Sequence, residues 1–175
     1  MAPLYFVSPN QINFVIPAET SLGPATITVA NSGRFVISGT AYVASVAPSL
    51  FEANADNLAA GNLLRVRGDV SEYDPISQVE SGTNQVVAVP IDLSPDTDRF
   101  YLILYGSGIR LRSSLDSVRA TVGGMDAIVV YAGSAGAGDG LDLVSVLLPT
   151  QLHGWADVVI TVDGVTANTV RVLIK

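Results

Sequence analysis

The stretch Ala25-Thr26-Ile27-Thr28-Val29 alternates small or apolar side chains with threonine. A period of two places successive side chains on opposite faces of a β-strand, so that one face can lie against a core. Threonine, isoleucine and valine also favour strands through their branched side chains. The stretch therefore predicts a half-buried β-strand, and the same period recurs along most of the chain.

Other runs rich in valine, isoleucine, threonine and aromatic residues alternate with turn signals, which include Asn31-Ser32-Gly33, Gly123-Gly124 and Asp163-Gly164. Many short strands joined by such turns predict an all-β fold, an antiparallel Ig-like β-sandwich. A short helix is expected only within residues 50–60, whose apolar positions fit a helical stripe loosely. The predicted strands cover residues 34–37, 41–46, 85–91, 100–105, 118–122, 127–131, 141–148, 158–162 and 169–174.

The chain also contains an internal repeat of strand, loop, strand ending in proline, turn and strand. The first copy comprises Tyr5-Phe6-Val7, Ile12–Pro17 and residues 25–29; the second comprises Val129-Val130-Tyr131, Val144–Pro149 and residues 158–162. Two strand runs precede the second copy and none precedes the first. The first copy is therefore predicted to be an additional N-terminal half-sandwich repeat that lacks its first strands.

Three regions follow from this pattern. Residues 1–46 are predicted to form the incomplete half-sandwich, residues 47–84 a connection with a short helix and a polar loop, and residues 85–175 an Ig-like sandwich. An isolated half-sandwich exposes apolar surface and unpaired strand edges. We therefore expect it to be completed by the rest of this chain, by a neighbouring chain or by preceding sequence.

Composition excludes several classes of protein. Of 175 residues, 49% are hydrophobic and 14% are charged, which argues against intrinsic disorder. Nine basic and sixteen acidic residues give a net charge of -7, which disfavours nucleic acid and anionic membrane surfaces as partners. No apolar run is long enough to span a membrane, and the first residues do not resemble a signal peptide.

The residues that usually carry catalysis are scarce. The chain has no cysteine and one histidine, His153, which excludes thiol chemistry and cysteine-based zinc sites. No Gly-x-Ser-x-Gly nucleophile motif is present. We therefore predict no catalytic residue and no enzyme. An enzyme that uses acidic loops with a metal ion is the weakest alternative.

The glycine-rich loop at 133–142 offers the best oxygen ligands. Asp139 and Asp142 are the candidate Ca²⁺ ligands, although a flexible connection is the more common use of such a loop. Apart from Ca²⁺, no cofactor is expected. The acidic segment 92–98 could form a second such site, but such clusters are more often solvated turns.

Two aromatic residues are candidates for binding a carbohydrate. Tyr73 lies in the predicted polar loop and Trp155 follows Pro149 in a predicted turn. Core packing is the more common fate of aromatic residues in sandwiches. The polar segment Pro9–Asn13 could be a recognition loop, although asparagine and glutamine at a strand start more often bond locally.

Several stretches together resemble the C-terminal domain of many large secreted proteins of acidobacteria (Solibacter-type). The resemblance spans residues 4 to 175, is weakest at 68–84, and lies in segments 4–17, 46–51, 104–110, 130–133 and 162–170. It implies an Ig-like module outside the cell or on its surface, with no catalytic residues and a signal peptide outside this chain. The chain departs from the family at Leu143-Val144-Ser145, where Gln-Val-Asn is common, and retains Gln11-Ile12-Asn13.

The expected function is a non-enzymatic structural or interaction module. Its open strand edge would pair with a strand of another protein or of a second copy, which would give a dimer or a fibre. A carbohydrate-binding accessory module of a secreted protein is the alternative. The residues predicted to form the assembly edge are Tyr5, Phe6, Val7, Gln11, Ile12, Asn13 and Phe14.

Overall fold

The computed structural model describes residues 1–31, 34–136 and 140–175. Within them the regular structure consists of β-strands and one 3₁₀ turn, Leu115–Ser117, with no α-helix. All paired strands run antiparallel, and parallel contacts are limited to isolated bridges. The prediction of an all-β antiparallel fold is confirmed. No helix in these ranges has the length and hydrophobicity that crossing a membrane requires.

The chain divides into two compact units, Met1–Ser45 and Val46–Lys175. The described residues of the first unit form two separate hairpins. One joins β1 (Leu4–Val7) to β2 (Ile12–Phe14), and the other joins β3 (Gly23–Asn31) to β4 (Arg34–Val43).

The described residues of the second unit form twelve strands. They are β5 (Ser49–Leu50), β6 (Gly61–Arg67), β7 (Val70–Pro75), β8 (Ser77–Val79), β9 (Val86–Ala88), β10 (Arg99–Ser107), β11 (Val118–Val122), β12 (Met125–Ser134), β13 (Asp142–Leu147), β14 (Gly154–Val162), β15 (Val165–Thr166) and β16 (Val170–Ile174). Ten of them form one curled sheet in the order β15-β14-β11-β12-β13-β10-β6-β7. In addition, β16 pairs with β14 and β5 pairs with β10. The separate pair β8–β9 completes the unit.

Strand β12 lets this sheet curl around one core. Its first residues pair with β11, and from Ile128 onwards it pairs with β13, with a bulge between Val129 and Tyr131. A bulge bends a strand and increases its twist. The core side chains come from alternate positions on the strands: Phe100, Leu102, Leu104, Val118, Val122, Val144, Val146, Val158, Ile160, Val162, Val170 and Val172.

Two of the predicted turns have the expected hairpin geometry. Gly123 and Gly124 connect β11 to β12 with φ angles of 57° and 77°, and Asp163 and Gly164 connect β14 to β15 with 49° and 80°. Positive φ at both central positions matches the right-handed twist of paired strands, and glycine adopts it without strain. The predicted turn at Asn31-Ser32-Gly33 lies partly outside the described residues.

The helix predicted within residues 50–60 is wrong. Glu52 instead bridges Ala59, and the side chain of Asn54 accepts hydrogen bonds from the backbone N–H groups of Asp56 and Leu58. Asparagine bonded to its own backbone in this way competes with helix formation. Asn57, with a φ of 60°, marks the turn.

The loop predicted at 68–84 is also wrong over much of its length. Residues 70–75 form β7, which pairs with β6 from Asn62↔Pro75 to Arg67↔Val70, and residues 77–79 form β8. Pairing with β6 overrides the low strand propensity of the polar, acidic residues in β7, because propensity is weak against tertiary context. The second unit therefore extends back to Val46 rather than beginning near residue 85.

Candidate assembly edge

The β1–β2 hairpin separates an apolar face from a polar one. Leu4 pairs with Phe14 and Val7 with Ile12, with a bulge between Leu4 and Phe6. Side chains of directly paired residues point to the same face, and so do those of residues two apart. Leu4, Val7, Ile12 and Phe14 therefore share one face, and all four are exposed, Ile12 and Phe14 each at 37%.

The opposite face of this hairpin carries Gln11 and Asn13. The side-chain amide of Gln11 donates to Asn13 Oδ1 at 2.7 Å. Ser8 Oγ accepts from the Asn10 backbone N–H at 3.3 Å. The polar residues of the segment Pro9–Asn13 thus bond locally, and Phe6, paired with Asn13, lies beside them.

Backbone directions identify the open edge of β2. Val15 N–H donates to Pro3 O at 3.0 Å, and Gln11 O accepts from Ser8 N–H at 2.8 Å, so both residues turn their backbone groups towards β1. These groups alternate in direction along an antiparallel strand. Those of Ile12 and Phe14 therefore point to the other edge, where no described strand pairs with β2.

The β3–β4 hairpin has the same division into faces. Ile27 pairs with Gly39 and Val29 with Ile37 on one face, while Thr26 pairs with Thr40 on the other. Ile27 is 38% exposed and Ile37 is 61% exposed. The alternation at residues 25–29 predicts a strand with one face against a core, whereas the structure leaves this apolar face exposed. The residues predicted for the assembly edge do not include it.

No hydrophobic side chain described in Met1–Ser45 is buried, whereas all the buried hydrophobic side chains among the described residues lie in the second unit. Isolated two-stranded hairpins are at best marginally stable in water. The strands of the first unit therefore do not provide the burial that would hold them together.

The second unit contains the same hairpin in a completed setting. In β12–β13, Val129 pairs with Val146 and Ala132 with Val144, with the bulge between Val129 and Tyr131. This matches Leu4↔Phe14, Val7↔Ile12 and the bulge of β1–β2. The two hairpins therefore share their pairing and their bulge, and Phe6 of the first corresponds to Tyr131 of the second.

Burial differs sharply between the two copies. Val144 and Val146 are 0% exposed, whereas their counterparts Ile12 and Phe14 are each 37% exposed. In the second unit β13 has β12 on one side and β10 on the other. Strand β14 likewise has β16 on one side and β11 on the other. Among the described residues, β2 and β3 have no such neighbours.

Charge sets the two units apart as well. The first unit contains one acidic and one basic residue, Glu19 and Arg34, so the net charge of -7 belongs to the second unit. The second unit ends its sheet on β7, whose residues include Glu72, Asp74 and Pro75. Charges and proline on an edge strand oppose further pairing. Strands β1, β2 and β3 contain no charged residue.

Of the two candidate Ca²⁺ ligands, Asp139 lies outside the described residues. Asp142 is buried, and its carboxylate accepts from Arg110 Nε at 2.6 Å and from the backbone N–H groups of Ile109 and Arg110 at 2.8 and 3.1 Å. The observed interactions of Asp142 therefore fix the chain after β10. The described residues contain no group of three or more potential metal-ligating side chains.

Two carboxylates of the acidic segment 92–98 form ion pairs, Asp98 with two arginines and Asp92 with a lysine. Asp98 is buried and bonds Arg65 Nε at 2.6 Å and Arg67 Nε at 3.0 Å. Hydrogen bonding by Arg67, aided by Arg65, lowers the pKa of Asp98 despite its burial. Asp92 bonds Lys175 Nζ at 2.7 Å, which with the Ser94 hydroxyl lowers the pKa of Asp92.

The two candidate carbohydrate-binding residues lie on different strands. Tyr73, 66% exposed, is on β7, and Trp155, 52% exposed, is on β14, and five strands of the sheet lie between them. The Arg171 guanidinium lies 4.4 Å from the centre of the Trp155 ring. His153 is exposed, with Nδ1 3.3 Å from Lys175 O. Each aromatic residue therefore stands apart, and carbohydrate binding stays a prediction.

Comparison of the chain with models of known families, with curated proteins and with solved structures found no match.

Proposed function

We propose that this protein is a non-enzymatic interaction module in which Met1–Ser45 binds another polypeptide through its apolar faces and open strand edges. A single observation carries the proposal. The hairpins β1–β2 and β12–β13 have the same pairing, yet Ile12 and Phe14 of the first are exposed whereas Val144 and Val146 of the second are completely buried. Burial of an apolar side chain is worth about 1.5–3 kcal/mol, so a polypeptide that covers this face gains substantial free energy.

We further propose that Val46–Lys175 is an Ig-like sandwich that presents the first unit to its partner. The strand β12, shared between β11 and β13, and the single apolar core support this interpretation. The resemblance to secreted acidobacterial domains supports a location outside the cell or on its surface. Assembly or surface anchoring would then be the biological role.

The first experiment measures the mass of the full chain by light scattering after size exclusion over a dilution series. Without a partner, the exposed faces should associate with each other. We expect species larger than the 18.2 kDa monomer at high concentration and reversible dissociation on dilution. A monomer at every concentration would count against an adhesive first unit.

A matched pair of variants assigns the surface. Ile27→Lys places a charge on the apolar face of β3, and Thr28→Lys places the same charge one residue along, on the polar face. We expect the first variant to abolish self-association and the second to leave it intact. Equal effects would show that the apolar face is not the contact.

A further inference from the structure

We infer that the open edge of β2 is an acceptor for one class of partner, an extended, uncharged strand with apolar side chains at alternate positions, supplied by another polypeptide. The inference rests on the proposed function and specifies which strand the first unit binds. It comes from the completed copy of the same hairpin within this chain.

In that copy β10 occupies the equivalent edge. Leu102 pairs with Val146 and Leu104 with Val144, and both leucines are buried. Two residues after Val146, the backbone N–H of Leu148 donates to Phe100 O at 2.8 Å. Because backbone groups alternate in direction along a strand, those of Val144 and Val146 also point towards β10. Because β1–β2 has the same pairing and the same bulge, Phe14 and Ile12 correspond to Val146 and Val144.

The correspondence sets the register of the incoming strand. The incoming strand would run antiparallel to β2, with an apolar residue opposite Phe14 and a second apolar residue, two positions later, opposite Ile12. Leu102 and Leu104 of β10 lie opposite Val146 and Val144 in the same way. The N–H and C=O groups of Ile12 and Phe14 point to that edge and would bond its backbone. Addition of a strand to a sheet edge draws affinity from such main-chain bonds and specificity from alternate side chains.

The donor is a partner polypeptide rather than a folded second copy. In this chain β10 is held on both sides, by β13 and by β6, and its side chains Phe100, Leu102 and Leu104 are in the core. Donating β10 would require opening the second unit. The first unit is neutral, so it favours an apolar donor over a charged one.

The test uses a fluorescein-labelled peptide with the sequence of Phe100–Ser107 and a short uncharged polyethylene glycol tail for solubility, titrated into the full chain. The matched control peptide carries Leu102→Ser and Leu104→Ser. Fluorescence anisotropy should show saturable binding of the first peptide and affinity weaker by at least about tenfold for the second, equivalent to 1.4 kcal/mol.

Two protein variants locate the site. Ile12→Lys places a charge on the acceptor face and should weaken peptide binding at least about tenfold, whereas Asn13→Lys places it on the opposite face and should not. Amide hydrogen exchange gives an independent readout. The N–H groups of Ile12 and Phe14 should become protected when the peptide binds.

The outcomes separate this inference from the proposed function. If the chain self-associates through the β3 face but the peptide does not bind, or binds Ile12→Lys equally well, the acceptor strand is wrong and the interaction module stands. If the chain is monomeric and binds neither copies nor peptide, both proposals fail.

Discussion

Asn168 binds both backbone groups of Leu50, across 118 positions of sequence. Leu50 N–H donates to Asn168 Oδ1 at 2.8 Å, and Asn168 Nδ2 donates to Leu50 O at 3.1 Å. One amide side chain thus replaces a strand neighbour on one side of β5, while β10 pairs with the other. Two segments distant in sequence, 46–51 and 162–170, meet here.

Asn168→Ala should therefore destabilise the second unit. Loss of the amide leaves two backbone groups of the buried Leu50 unpaired, which costs about 1–3 kcal/mol. Thr166→Ala, which removes an exposed hydroxyl contact with Thr161, is the control and should change stability by less than about 0.5 kcal/mol. Urea unfolding measures both, and equal effects would contradict the role assigned to Asn168.

Asp142→Asn distinguishes an ion pair from a calcium ligand. Removing the charge of the buried Asp142 breaks its ion pair with the partly exposed Arg110 and weakens its bonds to two backbone N–H groups. The free energy of unfolding should fall by about 1.5–3 kcal/mol, the usual contribution of a hydrogen bond to a charged group. The loss should be the same in CaCl₂ and in chelator. A thermal midpoint that rises with calcium in the native chain, and does not rise in Asp142→Asn, would instead identify Asp142 as a calcium ligand.

Acid should destabilise the second unit through Asp98. Because the folded-state pKa of Asp98 is lowered, its contribution is fully present above the ordinary aspartate pKa of about 3.9 and is lost as pH falls through the lower folded-state value. Asp98→Asn should reduce stability near neutral pH and flatten its decline in acid. Urea unfolding from pH 7 to pH 2.5 measures this, with Asp96→Asn as the exposed control.

Salt should strengthen self-association. The neutral first unit would make the contact, while the second units, each with the net charge of -7, repel one another. Salt screens that repulsion, since the Debye length falls from about 30 Å at 0.01 M to about 10 Å at 0.1 M. Light scattering should therefore show tighter association at higher salt. Dissociation on adding salt would indicate ion pairs rather than apolar faces at the contact.

The strands that were predicted most accurately have strong local patterns. Residues 118–122 were predicted as β11 without error, and the runs that became β10 and β13 differ by a few residues at their ends. Their apolar and β-branched side chains agree with the burial that the fold gives them. The hairpin turns at Gly123-Gly124 and Asp163-Gly164 were predictable for the same local reason.

The missed strands depend on partners distant in sequence. The sequence does not predict the strand β6 and predicts a loop where the acidic β7 lies, because their pairing is visible only when β10 lies beside them. The two copies of the repeat are visible in the sequence. The bulge that both hairpins share, which shows which residue of one copy matches which residue of the other, is visible only in the structure.

The sequence by itself determined an all-β chain, its hairpin turns and the presence of two related hairpins, because alternation and turn chemistry are local properties. Tertiary structure decided which hairpin is complete. Val144 is buried and Ile12 is exposed, although both lie in similar local sequence. The physical reason is that burial depends on neighbouring strands, and the neighbours β10 and β11 accompany only the second copy among the described residues.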